Sequence, residues 1–325
     1  MPLLATLLLA APVKVTPAKT LVGIRPIAFA AAPTGSKFLA CLEDGSVRII
    51  DAKTKMTVRQ LDKHPQAAYA AAWSADGNFV ATGDETARIW IHNALTGKKV
   101  REYRTHTRGI QKLSFNLPGS LLISTGKDDQ VNVYDLRTPS IKERMVILGK
   151  GVNLYGATFH PKLPYSFAVG MLGGGVRFYD ALQGRPTAFL TDAGGQGIFD
   201  VAFNPAGTRA VSAGRDGYAV LWDPKTLKKV GKFKKHDDWV VYTAVSPNGQ
   251  LVATGSSDRT VRVYDSKTMA QVAELPNAFT VGSPVCFTGD GASLISVTDM
   301  GDLQISSITP AQKSVASSGS KKRNG

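Results

Sequence analysis

A short phrase recurs along this chain of 325 residues at a nearly constant interval. It reads GKDDQVNVYDLRT at residues 126–138, GRDGYAVLWDPKT at 214–226 and SSDRTVRVYDSKT at 256–268. In each copy, a turn that carries Asp is followed by alternating apolar residues and then by an aromatic–Asp pair. A catalytic motif normally occurs once in a chain, whereas a phrase that repeats with drift indicates an architectural unit.

The interval of the repeat identifies the unit as a small antiparallel sheet. Seven equivalent positions lie 40 to 45 residues apart: Ile50, Trp90, Tyr134, Tyr179, Trp222, Tyr264 and Ser306. Each interval holds short alternating apolar runs that end in Gly, Pro, Asn or Asp, which is typical of β-strands joined by tight turns. Units of this length with four strands each are typical of propeller blades. We therefore predict an all-β fold, a seven-bladed β-propeller of four-stranded antiparallel blades.

The last unit supplies only three strands, ending near Ile308, so the ring needs a strand from elsewhere. An open propeller would expose an unpaired strand edge and apolar faces. The spare β-compatible segment Val13–Leu21 precedes the first unit, and we expect it to close the ring as the outer strand of the last blade. The chain then divides into an apolar segment at 1–11, a propeller at 12–309 and a polar, basic tail at 310–325 that we expect to be disordered.

The aromatic–Asp pairs resemble the name-giving dipeptide of the WD-repeat family, and the resemblance covers nearly all of residues 13–308. It implies a ring around a central channel. It also implies a hydrogen-bonded set of His, Ser or Thr, Asp and Trp within a blade. The matching residues are His64, Thr82, Asp84 and Trp90 in the second unit, His106, Ser124, Asp128 and Tyr134 in the third, Ser212, Asp216 and Trp222 in the fifth, and His236, Thr254, Asp258 and Tyr264 in the sixth. In the fifth unit, Gly194 and Gly195 occupy the histidine region.

A hydroxyl, an imidazole and a carboxylate can also form a nucleophilic relay. The set recurs in at least three units, however, and a reaction needs one preorganised site, so we interpret it as a structural network. We therefore expect no catalytic residue, and we expect no cofactor. We also expect no metal site, because Cys41 and Cys286 form no Cys-x-x-Cys pair and His92 has no second ligand at suitable spacing. His160 occupies a turn, and we expect it to be exposed.

Binding residues are expected on the loops at one end of the ring, where the innermost strands begin and where the turns carry Asp. Aromatic and Arg side chains are enriched at binding hot spots. The predicted partner-binding residues are Trp239, Phe199, Tyr155, Tyr69, Lys112, Lys127 and Arg215. The leading interpretation is a noncatalytic protein-interaction scaffold that binds a protein or peptide at the channel mouth. A nucleic-acid-associated propeller, and a ligand receptor or enzyme with a site in the mouth, are the alternatives.

The net charge of +14, from 39 Lys and Arg against 25 Asp and Glu, favours an acidic partner and permits nucleic-acid binding. Basic residues recur at turn positions such as Lys53, Lys98 and Lys267, so dispersed charge for solubility is the simpler explanation. We predict a monomer. We also predict no transmembrane segment, because the apolar run at residues 3–11 is too short to cross a bilayer. That run resembles the centre of a secretory signal and favours export, with a cytoplasmic location as the alternative.

Overall fold

The computed structural model of the chain describes residues 13–139, 145–148, 154–193, 197–276 and 284–310. Within these ranges the chain forms 28 β-strands and no helix. The described residues therefore contain no membrane-spanning helix. The strands form seven four-stranded antiparallel sheets. The predicted all-β propeller with seven blades is confirmed.

Six blades use four consecutive strands each. Blade 1 comprises β2 (Pro26–Ala31), β3 (Lys37–Leu42), β4 (Val47–Asp51) and β5 (Met56–Gln60), and blade 2 comprises β6 (Ala68–Trp73), β7 (Phe79–Asp84), β8 (Ile89–Asn93) and β9 (Lys99–Tyr103). Blade 3 comprises β10 (Ile110–Phe115), β11 (Leu121–Gly126), β12 (Gln130–Asp135) and β13 (Met145–Leu148). Blade 4 comprises β14 (Leu154–Phe159), β15 (Ser166–Met171), β16 (Val176–Asp180) and β17 (Pro186–Leu190). Blade 5 comprises β18 (Ile198–Phe203), β19 (Ala210–Gly214), β20 (Ala219–Asp223) and β21 (Lys228–Lys232), and blade 6 comprises β22 (Val240–Val245), β23 (Leu251–Ser256), β24 (Thr260–Asp265) and β25 (Gln271–Pro276).

Blade 7 contains the two ends of the propeller. Its order is β26 (Cys286–Phe287), β27 (Ser293–Val297), β28 (Leu303–Pro310) and β1 (Val13–Leu21). Strand β1 pairs antiparallel with β28 from Val13 opposite Pro310 to Leu21 opposite Leu303. The predicted closure by an N-terminal strand is confirmed, and β28 extends one residue into the segment predicted as tail. Residues 1–11 and 311–325 lie outside the described residues.

The apolar core lies between neighbouring blades rather than in one central mass. The second strand of a blade, such as β11 or β23, is buried along its whole length, because the adjoining blades cover both faces of the sheet. The outer strands β5 and β21 are exposed at most positions. Because burial of apolar area is the main favourable term in folding, the inter-blade layers fix the ring rigidly and leave the loops at both ends free to vary.

Candidate functional site

Six of the innermost strands begin with a β-bulge at the same position. In each, the register of pairing with the second strand of the blade shifts between the first residue and the third or fourth residue of the innermost strand. The six strands are β2, β6, β10, β14, β18 and β22. A bulge inserts an unpaired residue and re-aims its side chain. The bulge residues are Ile27, Tyr69, Gln111, Tyr155 with Gly156, Phe199 and Val241. Blades 2 to 6 therefore each present one re-aimed bulge side chain at the same end of the central channel.

These side chains surround a pocket of about 310 Å³ at the channel mouth. Six of the seven predicted partner-binding residues line it, and the other lining residues include Ile110, Asp200, Tyr242 and Ser257. The seventh, Arg215, stacks over the indole of Trp239 with its guanidinium carbon 4.7 Å from the ring centre. All seven residues that the sequence places on the binding face thus lie around one concave surface.

An aromatic surface forms one wall of this pocket. The ring centres of Tyr155 and Phe199 are 5.6 Å apart in an edge-on arrangement, and those of Phe199 and Trp239 are also 5.6 Å apart. Trp239 nevertheless keeps 41% of its surface exposed. Much of the Trp239 ring faces solvent, so a partner can cover a large apolar area. Because neighbouring side chains already hold the ring in place, little side-chain entropy is lost when the partner binds.

A partly buried ion pair joins blades 3 and 5 at this pocket. Lys112 Nζ of blade 3 lies 2.8 Å from Asp200 Oδ1 of blade 5, and the two side chains are 29% and 3% exposed. The second carboxylate oxygen of Asp200 accepts a hydrogen bond of 3.1 Å from the backbone N–H of Thr243 in blade 6. The intervening blade has Gly156, where a Cβ atom would lie only 2.6 Å from the carbonyl oxygen of Phe199. Glycine therefore allows this close approach.

Sequence reasoning missed Asp200. Its signal was an acidic residue within the otherwise apolar strand IFDVAF at 198–203, since a buried carboxylate requires a partner. Burial and the nearby charge of Asp200 raise the pKa of Tyr242, whose ring lies 5.7 Å from Lys112 Nζ. Tyr242 is therefore a neutral phenol that lies beside the Lys112–Asp200 ion pair.

Intramolecular carboxylates partner both lysines of the site. Besides the Lys112–Asp200 pair, Lys127 Nζ lies 2.8 Å from Glu85 and 5.2 Å from the ring centre of Tyr69. Arg215 takes part in no ion pair among the described residues. Of these three basic side chains, Arg215 is therefore the one without a carboxylate partner in the described part of the chain.

The His, hydroxyl and Asp side chains form buried hydrogen-bonded networks in blades 2, 3 and 6. In each blade, the histidine Nδ1 contacts the carboxylate and Nε2 contacts the hydroxyl. The distances are 3.0 and 2.7 Å for His64 with Asp84 and Thr82, 2.8 and 2.6 Å for His106 with Asp128 and Ser124, and 2.8 Å for both contacts of His236 with Asp258 and Thr254. None of these nine residues lines the mouth pocket.

The aromatic residue joins the network in blade 3, where Tyr134 Oη lies 3.1 Å from Ser124 Oγ. Trp90 instead stacks on His64 at 4.0 Å, and its indole nitrogen has no hydrogen-bond partner in the described part of the chain. Tyr264 donates to the backbone carbonyl of Lys234 at 3.1 Å. The hydrogen bond of the aromatic residue that the family resemblance implies is therefore replaced by stacking in blade 2.

Blade 5 satisfies its serine differently. Ser212 donates to the backbone carbonyl of Ala193, and the indole nitrogen of Trp222 has no hydrogen-bond partner within the described residues. Tyr218, the second residue after Asp216, donates its backbone N–H to that carboxylate at 3.1 Å. The glycines at 194 and 195 lie outside the described residues. A backbone carbonyl thus provides an acceptor for Ser212 in a blade without the histidine.

The charge state of the blade 6 network follows from its surroundings. Burial lowers the pKa of His236 despite the opposing effect of Asp258. Burial would raise the pKa of Asp258, but hydrogen bonds from Thr260 and backbone Asp237, together with His236, outweigh it and lower that pKa. Asp258 is therefore ionised and His236 neutral near pH 7, so His236 donates from Nδ1 and accepts the Thr254 hydroxyl proton at Nε2.

These networks hold the turns that carry the pocket residues. The residue before the Asp position donates its backbone N–H to the chain just before the innermost strand: Lys127 to Gly109 and Arg215 to Gly197 at 2.8 Å each, and Ser257 to Trp239 at 2.9 Å. Fixing the Asp turn therefore also fixes the entry to the innermost strand, and the pocket side chains gain a defined geometry.

The expectation that His160 is exposed is wrong. Its ring is buried, Nε2 donates to the carbonyl of Gly207 at 3.1 Å, and Nδ1 accepts from the backbone N–H groups of Lys162 and Leu163. Burial lowers the pKa of His160. Gly207 belongs to the next blade, and a Cβ atom there would collide with the ring, so the histidine fills a space that glycine leaves.

Cysteine and metal chemistry find little support among the described residues. Cys41 and Cys286 are both free thiols, and burial raises the pKa of each, for Cys286 to about 12. Thiols in this state react poorly. No group of three or more His, Cys, Asp and Glu residues in the described ranges is arranged to hold a metal ion.

Comparison with known proteins identifies related repeats. The family model "WD domain, G-beta repeat" matches residues 55–90, 97–135, 184–223 and 227–265. The WD repeat-containing protein srw1 of Schizosaccharomyces pombe is 26% identical over 255 residues, which cover 64% of this chain and 45% of that protein. Actin-interacting protein 1 of Drosophila melanogaster is 23% identical over 296 residues, 89% of this chain and 48% of that protein.

The Target of rapamycin complex subunit wat1 of Schizosaccharomyces pombe is 22% identical over 238 residues, 71% of this chain and 74% of that protein. The chain spans about half the length of srw1 and of Actin-interacting protein 1. The similarity to these two proteins therefore concerns only part of their length.

Proposed function

We propose that this chain, a member of the WD-repeat β-propellers, is a protein-interaction scaffold that binds a protein or peptide segment at the channel mouth and catalyses no reaction there. The observation that carries the proposal is the partly exposed Trp239, which contacts both Phe199 and Arg215 and lines a pocket of about 310 Å³. Aromatic and Arg side chains around a concave surface are typical of binding hot spots.

The burial of the relay-like side chains of blade 6 supports a noncatalytic role. The Thr254–His236–Asp258 geometry matches a nucleophilic relay in its hydrogen bonds, but Thr254 and His236 are buried and do not adjoin the pocket. A buried hydroxyl cannot approach a substrate carbonyl. The same arrangement in blades 2 and 3 serves equally well to hold turns, which explains its repetition.

An acidic segment is the partner that the mouth favours. Lys112 and Lys127 are already paired with Asp200 and Glu85, whereas the guanidinium of Arg215 lies over the ring of Trp239 without a carboxylate partner in the described chain. We propose that a partner carboxylate beside an apolar side chain satisfies Arg215 and covers Trp239. Planar guanidinium groups suit bidentate carboxylate recognition.

Two relatives carry names that refer to protein association. One is named as an actin-interacting protein and another as a complex subunit. These names describe those proteins, and they support a partner of the protein class for this chain without identifying it.

The test uses the immobilised full chain as bait in lysate of its native host. Wild type, Trp239→Ala and Phe189→Ala are compared by quantitative mass spectrometry. Phe189 is 44% exposed and has Arg177 at 5.3 Å over its ring, so it matches Trp239 in exposure and in its arginine contact but lies in the outer strand of blade 4. Proteins lost with Trp239→Ala and retained with Phe189→Ala support the proposal, and an equal set of proteins on all three baits contradicts it.

A further inference from the structure

Six lysines and no acidic residue occur between residues 225 and 235, on the outer edge of blade 5. They are Lys225, Lys228, Lys229, Lys232, Lys234 and Lys235. All six are exposed, and three of them belong to strand β21, the edge strand of its sheet. The sequence interpretation of dispersed charge overlooked this concentration, which we call the lysine edge.

Protection of the strand edge does not explain such a density of charge. Charged side chains, especially lysine, do keep edge strands from pairing with other chains. The equivalent outer strand β17 reads PTAFL and has no charge, β25 reads QVAELP and has a single acidic residue, and β9 reads KVREY, in which a glutamate accompanies the two basic residues. Since these edges have little or mixed charge, the uniformly positive lysine edge requires a different explanation.

Most of this charge is available to a partner. Only Lys229 forms an ion pair among the described residues, with Asp192. The ammonium groups of Lys232 and Lys235 lie 4.4 and 5.6 Å from the ring centre of Tyr218. This aromatic ring holds two of the charges in defined positions, which lowers the entropy lost when an anion binds.

We propose that the lysine edge binds the phosphate backbone of a nucleic acid without reading its sequence. Lysine ammonium groups are compact point charges that bind phosphate from many directions, whereas arginine's planar fork fixes the geometry of one carboxylate or phosphate group. A run of lysines without arginine therefore suits neutralisation of a row of phosphates rather than recognition of a single group. The run has no arginine, and it has no Asn or Gln to read base edges. A polyanion that carries a charge at every nucleotide matches a row of lysines along an extended strand.

The experiment measures binding of a fluorescein-labelled, mixed-sequence single-stranded DNA to the full chain by fluorescence anisotropy over a series of salt concentrations. The test variant carries Lys228→Glu, Lys232→Glu and Lys234→Glu. The control variant carries Lys98→Glu, Lys162→Glu and Lys267→Glu. The control lysines are exposed turn residues of blades 2, 4 and 6. Both triple variants change the net charge equally, and the basic residues 321–323 are the same in all proteins.

We expect the test variant to lose at least tenfold in affinity and the control to stay within about threefold of wild type. The slope of log affinity against log salt should become shallower by about 2 in the test variant, since each lost phosphate contact contributes about 0.7 for single strands. Thermal unfolding checks that the variants fold, and Lys→Gln at the same three positions replaces the test variant if it does not. Trp239→Ala should bind the DNA like wild type, because the pocket is a separate site.

Three results would overturn the proposal. Equal loss in both triple variants would assign binding to overall charge rather than to the lysine edge. Competition by a glutamate-rich peptide as effective as that by unlabelled DNA of equal charge would assign the edge to an acidic protein. Failure of wild type to bind the DNA at low salt would exclude the nucleic acid altogether.

Discussion

Replacement of Trp239 by alanine removes the largest exposed apolar side chain of the mouth. A tryptophan can bury about 250 Å², and 41% of Trp239 remains exposed in the free propeller, which leaves roughly 100 Å² for a partner to cover. At about 25 cal/mol per Å², this area corresponds to about 2.5 kcal/mol. We therefore expect partner affinity to fall nearly a hundredfold.

The assay is isothermal titration calorimetry of purified variants with the partner that the bait experiment identifies. The folded propeller should lose only about 1 kcal/mol of stability, because the ring contacts Phe199 and Arg215 but is not part of an inter-blade core. Phe189→Ala serves as the matched control and should leave affinity unchanged. A large fall in melting temperature with unchanged affinity of the folded fraction would mean that Trp239 is a packing residue, and would refute the reasoning.

Three further predictions concern the scaffold. Asp258→Ala should lower the free energy of unfolding by about 1–3 kcal/mol because it leaves buried donors unpaired. Urea unfolding measures this change. Loss of a hydrolytic activity with an unchanged melting curve would contradict the structural role. Stability should fall as the pH drops below about 6.5, since the lowered pKa of His236 makes the unfolded chain bind the proton first, with a further loss below about 3.8 as Asp258 protonates. A urea midpoint independent of pH between about 7 and 5 would argue against a neutral His236 in the fold. Deletion of residues 1–11 should leave the melting temperature nearly unchanged. Deletion of residues 1–22 removes β1 and should cause a large loss of stability or aggregation. Equal melting temperatures of the two truncated proteins would disprove closure by this strand.

The fold could be predicted because its determinants are local and repeated. Alternating apolar residues and turn residues recur in every blade, so errors at one position do not alter the interpretation. Closure could be predicted as well, because a three-stranded last unit and a spare strand at Val13–Leu21 have one simple solution. The mouth positions also followed from the repeat, since each lies a few residues beyond the histidine region or just before the Asp.

Contacts between blades could not be predicted in this way. Lys112 and Asp200 are 88 residues apart, and their contact depends on the space that Gly156 leaves in the blade between them. His160 was misjudged because its partner, Gly207, belongs to the turn of the next blade. Single-sequence patterns describe a blade from within, whereas these side chains respond to the neighbouring blade.

Hydrogen–deuterium exchange of the propeller with and without its captured partner tests the binding face directly. If the partner binds at the mouth, amide exchange should slow at residues 108–112, 197–200 and 237–242, which surround the pocket. The turns at 116–120 and 161–165, at the other end of the innermost strands, should exchange at the same rate in both states. Protection of those opposite turns, with unchanged exchange around Trp239, would contradict the account.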